Sequence, residues 1–78
     1  MASFDLLKVE ERLDGLLVYN VRMQSDAGRM ELPIVVQDHG TSPLNEAAVM
    51  RSALGFAEEF AASIRPRLGN AVAAPRDR

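Results

Sequence analysis

Between Val49 and Ile64 the apolar residues recur at helical spacing. At about 100° per residue, Met50, Ala53, Leu54, Ala57, Phe60, Ala61 and Ile64 fall on one face, flanked by Val49 and Phe56. Ser42-Pro43 marks the start. A Ser hydroxyl at the N-cap accepts from a free first-turn amide, and Pro at the next position loses no helical hydrogen bond. Glu46 then brings negative charge to the dipole's positive end. Pro66 disfavours helical geometry at Arg65, and Gly69 follows soon after. The pattern predicts one amphipathic helix over residues 43–65, roughly 35 Å long. Its opposite face is small-sided, with Ala48, Ser52, Gly55 and Ala62. A mid-helix Gly costs about 1 kcal/mol relative to Ala, so Gly55 marks either a close approach by another helix or a tolerated exposed position.

Upstream the period changes from 3.6 to 2. Residues 16–24 and 29–37 alternate on either side of Ser25-Asp26-Ala27-Gly28. Pairing Gln24 with Arg29 sets Leu17 opposite Val36, Tyr19 opposite Ile34, Val21 opposite Leu32 and Met23 opposite Met30. That makes one face wholly apolar. The other face then places Arg22 across from Glu31. Pro33 requires its strand to lie at an edge or its position to need no ladder donor. Residues 4–13 read as a strand with Leu7, Val9 and Leu13 inward, or alternatively as a helix. Asp14-Gly15 marks the turn that follows. A three-residue loop with Gly15 in the left-handed position, pairing Arg12 with Leu16, keeps the apolar sides together.

The predicted fold class is therefore α+β: a three-stranded antiparallel meander packed against one long C-terminal helix (β-β-β-α), with α-β-β-α as the alternative. The predicted core comprises Leu7, Val9, Leu17, Tyr19, Val21, Met23, Leu32, Ile34 and Val36 from the sheet. The helix supplies its apolar face from Met50 to Ile64. Residues 1–70 form one domain and 71–78 a disordered tail containing arginines. A chain of 78 residues buries only a modest core.

Composition narrows the chemistry. Aromatics are 5% and Trp is absent, so the core is aliphatic with Met as filler. With no Cys, disulfides and thiolate metal or redox sites are excluded. No apolar run reaches the ~20 residues of a membrane span, and the N-terminal residues lack a signal-peptide pattern. A cytoplasmic protein without a membrane partner is expected. The predominance of Arg over Lys and the abundance of Ala suggest a bacterial source. The net charge of −2 is uneven, with Arg65, Arg67, Arg76 and Arg78 gathered at the C-terminal end. That basic tail is the basis for an alternative reading as a nucleic-acid-binding module.

Candidate catalytic groups are sparse. Asp38, His39 and Ser42 are the residue types of a nucleophilic triad, but a triad needs a defined geometry that adjacency in a loop does not provide. One His and one Asp are too few for a closed metal site, and the glycines lack phosphate-loop spacing. No catalytic, cofactor or metal residues are assigned, and an enzyme is not expected. Two features point instead to a partner. Leu16, Val18 and Val35 form an apolar patch on the outer face of the sheet, beside an edge strand, and Gly55 lies on the small face of the helix. The expected function is a small protein-interaction or regulatory module, self-associating through the edge strand or this patch.

Overall fold

The computed structural model describes residues 2–73. Three strands, β1 (Ser3–Glu11), β2 (Leu16–Ser25) and β3 (Gly28–Gln37), form an antiparallel sheet of order β1-β2-β3, followed by one helix, α1 (Ser42–Ala73). This is the β-β-β-α arrangement, with residues 4–11 extended rather than helical.

The second hairpin has the register that both faces of the sequence demand. Leu17, Tyr19, Val21 and Met23 stand opposite Val36, Ile34, Leu32 and Met30, and Gln24 opposite Arg29. The turn is stabilised where Ala27 N–H donates to Ser25 Oγ at 3.1 Å, and Gly28 takes a positive φ of 144° that L side chains disfavour. Pro33 lies in β3, an edge strand.

The first hairpin closes as expected at its turn but not along its length. Arg12 N–H donates to Leu16 O at 2.8 Å, and Gly15 adopts φ 86°, the left-handed value the three-residue loop requires. Between Lys8 and Glu10 the register slips by one residue at a β-bulge. A slip of one inverts every side chain beyond it. Phe4 and Leu6 therefore stand beside Met23 and Val21, while Leu7 pairs with Asn20 on the other face. The predicted inward positions Leu7, Val9 and Leu13 are all exposed; Leu6 packs on the core instead. The bulge also brings Asp5 beside Arg22, with Arg22 Nη2 donating to Asp5 Oδ2 at 3.3 Å. Glu31, opposite Arg22 as predicted, accepts instead from Asn20 Nδ2 at 3.2 Å.

The helix begins one residue earlier than its sequence signals suggest. Thr41, not Ser42, is the N-cap: Leu44 N–H donates to Thr41 Oγ1 at 3.4 Å, and Asn45 N–H to the Thr41 carbonyl at 3.0 Å. Glu46 consequently falls beyond the first turn. Pro66 does not end the helix, which continues through it and Gly69 to Ala73. Of the predicted tail, residues 71–73 are helical, and 74–78 lie outside the described residues.

A polar cluster fixes the loop before α1. Asn45 is buried; its Oδ1 accepts from His39 N–H at 2.6 Å, and its Nδ2 donates to Asp38 Oδ1 at 3.1 Å. Asp38 Oδ1 also accepts from Gly40 N–H at 2.8 Å. The Gly40 amide first, and the Asn45 side chain second, hold the Asp38 carboxyl below its ordinary value of 3.8. A carboxyl depressed in the folded state contributes stability that is present above its unfolded pKa and lost as pH falls through the folded one. The urea midpoint should thus fall as the pH drops below about 4, with Asp38→Asn flattening part of that slope. An equal slope in the variant would assign the acid sensitivity to other carboxyls. Lys8 shifts upward, chiefly through its hydrogen bond to Glu11 and then through the charge of that partner.

The core sits at the end of the sheet where α1 starts. Leu17, Tyr19, Val21, Ile34 and Val36 surround Val49, which has no exposed surface. Burying such a side chain contributes about 1.5–3 kcal/mol. Leu32, Ala48 and Ala53 pack around this cluster. Beyond it the helix parts from the sheet. A ten-residue strand spans about 33 Å, whereas 32 helical residues span about 48 Å, so the C-terminal turns overhang. The radius of gyration is 16.8 Å, against about 11.5 Å for a compact domain of this length.

Candidate functional site

The divergence of α1 from the sheet opens a groove of about 530 Å³. Its helix wall is Met50, Ala53, Leu54, Phe56, Ala57 and Phe60. Its floor is the far end of the sheet: Phe4, Val21, Met23, Met30 and Leu32. Among the described residues, no charged or hydrogen-bonding side chain lines it. Phe56 and Phe60, four residues apart, stack with ring centroids 6.1 Å apart and planes within 10°. Met23, Met30 and Met50, the methionines among the described residues, all lie in this lining, and thioether side chains suit a surface that must adapt to an incoming shape.

Helix geometry explains why this surface is uncovered. The sheet packs on the sector of α1 that holds Asn45 and Val49. Val49 lies about 80° round the helix from Ala57, at 100° per residue. Met50, Leu54, Ala57 and Ile64 therefore point beside the sheet rather than into it. Leu54 is 60% exposed and Phe60 47%, and Ile64 and Leu68 continue the stripe past the groove. Of the helix positions expected in the core, Ala53 packs on it, whereas Met50, Leu54, Phe60 and Ile64 form an exposed apolar face that one three-stranded sheet is too short and too narrow to cover.

The partner positions read from the sequence lie on two elements, three on the sheet and one on the helix. Val18 lies on the outer face of the sheet, opposite Val35, but is buried among its neighbours. Leu16 is half-buried and Val35 is exposed. Gly55 lies within α1, and among the described residues a Cβ added there would meet no atom within 4 Å. The register thus sets Leu16, Val18 and Val35 side by side on the outer face, as the sequence pattern places them, with Gly55 apart from them in sequence on α1. The groove was partly visible beforehand, since Met23, Met30 and the helix stripe were assigned to one apolar face. Phe4 was missed because its inward position depends on the bulge.

The groups considered for chemistry serve structure. The hydrogen bonds of Asp38 go to Gly40 and Asn45, and Ser42 occupies the first helical residue. Among the described residues no three His, Asp or Glu side chains converge to hold a metal, and no helix is long and apolar enough to cross a membrane. Arg65 and Arg67 lie on α1, while Arg76 and Arg78 fall outside the described residues. Comparison with protein-family models, curated proteins and solved structures gives no match.

Proposed function

We propose that this protein is a small interaction module that self-associates, a second copy of the chain filling the apolar groove between α1 and the sheet. The observation that carries this reading is the continuity of the groove with the uncovered helix stripe. Phe4, Met23, Met30, Met50, Leu54 and Phe60 are each more than two-fifths exposed, and Ile64 and Leu68 extend the surface along the helix. A contiguous apolar surface of this kind on a soluble domain marks a contact site. The lining has no polar group to orient a small molecule, and it is longer than one would cover. An amphipathic helix fits it better, and α1 is itself such a helix.

Stability argues in the same direction. Among the described residues only seven hydrophobic side chains are buried, a small core for a chain of 78 residues. Association would convert the exposed stripe into a second core. Light scattering over a range of concentrations should give twice the chain mass at micromolar protein. A strict monomer up to the solubility limit would overturn the reading.

A further inference from the structure

The geometry points to an antiparallel, two-fold arrangement of the α1 helices, with Ala57 of one copy against Ala57 of the other. The inference rests on the self-association proposed above and adds its geometry. The exposed stripe is palindromic about Ala57. Met50 and Ile64 lie seven residues to either side, Ala53 and Ala61 four, Leu54 and Phe60 three. Between Met50 and Ile64, reversing the helix about this point exchanges the apolar positions of the stripe for apolar positions of similar size. A two-fold interface requires this self-complementarity, because each surface meets its own copy.

Three further observations agree. First, the centre of the palindrome is a small residue, so two helices can approach to about 8–10 Å there, with bulkier Leu54 and Phe60 interlocking on either side. Second, α1 runs through Pro66, and Ile64 just before it would meet Met50 of the second copy. An interior Pro disfavours a helix by about 3 kcal/mol, and packing on a second copy supplies compensating contacts. Third, the charges are compatible. Glu46, on the line of the stripe, would lie level with Leu68 of the other helix and within about one residue's rise, 1.5 Å, of the level of Arg67, while Glu58 and Glu59 point away from the seam. The sheet packs on an adjacent sector of α1, so each copy's helix can enter the groove of the other while both keep their Val49 contacts.

The chain has no cysteine, so single thiols report the arrangement directly. At an interaxial distance near the values above, paired Ala57 Cα atoms come within about 6 Å, inside disulfide range. Ala57→Cys, oxidised with oxidised glutathione in the full chain, should run almost wholly as a covalent dimer on a non-reducing gel. Met50→Cys and Ile64→Cys should each stay largely uncrosslinked alone and crosslink at least tenfold more when mixed. Light scattering and circular dichroism of the reduced variants establish that each is folded and dimeric. A dimer in which Met50→Cys and Ile64→Cys each crosslink with themselves is parallel and overturns the inference. So does a dimer in which Ala57→Cys stays uncrosslinked. Both outcomes leave self-association standing, whereas a monomeric unmodified chain removes both proposals.

Discussion

Leu54→Asp should turn a dimer into a monomer and lower the thermal midpoint with it. In an isolated chain this position is 60% exposed, and a polar substitution at such a surface site usually changes stability by less than about 0.5 kcal/mol. In the two-fold arrangement the same side chain interlocks with Phe60 of the second copy, away from water. Truncating a central apolar contact commonly costs 2–4 kcal/mol of association, roughly 30- to 1,000-fold in Kd. A carboxylate adds a desolvation penalty, and symmetry imposes the change twice. Ala62→Asp, exposed and about 140° round the helix from Ala57 at the centre of the stripe, is the control and should leave both mass and midpoint near those of the unmodified chain. Sedimentation velocity at one fixed concentration with a parallel melting curve separates the two variants. If Leu54→Asp behaves like Ala62→Asp, the groove is not an interface.

Asn45→Ala should be the most damaging single truncation within one chain that leaves the hydrophobic core intact. Asn45 is 6% exposed and joins the loop to the helix through His39 N–H and the Asp38 carboxylate. Among the described residues every buried side-chain nitrogen and oxygen has a partner. Truncation would deprive the His39 amide of its acceptor and Asp38 of a donor. Leaving such a group unsatisfied costs about 1–3 kcal/mol, and in a domain of this size each kcal/mol moves the midpoint by roughly 4–8 °C. Asn45→Asp should be worse at neutral pH, since it sets a second negative charge against Asp38. Urea titrations at pH 7 test both. A loss below 0.5 kcal/mol for Asn45→Ala would show that the loop finds other partners.

Where two independent constraints coincided, the sequence was a sufficient guide. The β2–β3 register satisfied an apolar face and a charged face at once, and the Arg12–Leu16 turn followed from parity and one glycine. The bulge at Val9 was hidden because parity was carried along β1 as if the ladder were unbroken. Its signs were Phe4 and Leu6, apolar and two apart, and Asp5 between them at the level of Arg22. The helix stripe was read correctly as periodic and wrongly as buried. Periodicity reports which residues share a face, not how much opposing surface exists to cover it. Pro66 was taken as a stop, although a proline ring removes one bond without forbidding the turns beyond it. Asn45 carried no signal, being one polar residue whose burial depends on how the preceding loop folds back. The candidate site was legible as an apolar surface; that it opens into a groove depends on the lengths of helix and sheet together.

The two flanks of the sheet have a consequence for how large an assembly can grow. An exposed strand invites another strand to add beside it, and such addition, once begun, has no natural end. Here β1 is interrupted by its bulge, and β3 has Pro33, which offers no amide proton. Neither margin presents an unbroken row of donors and acceptors to a neighbour. Growth by edge-to-edge stacking into fibrils is thereby discouraged on both sides. The apolar surface that remains lies on the helix, where a two-fold contact is satisfied by one partner and then closed to a third.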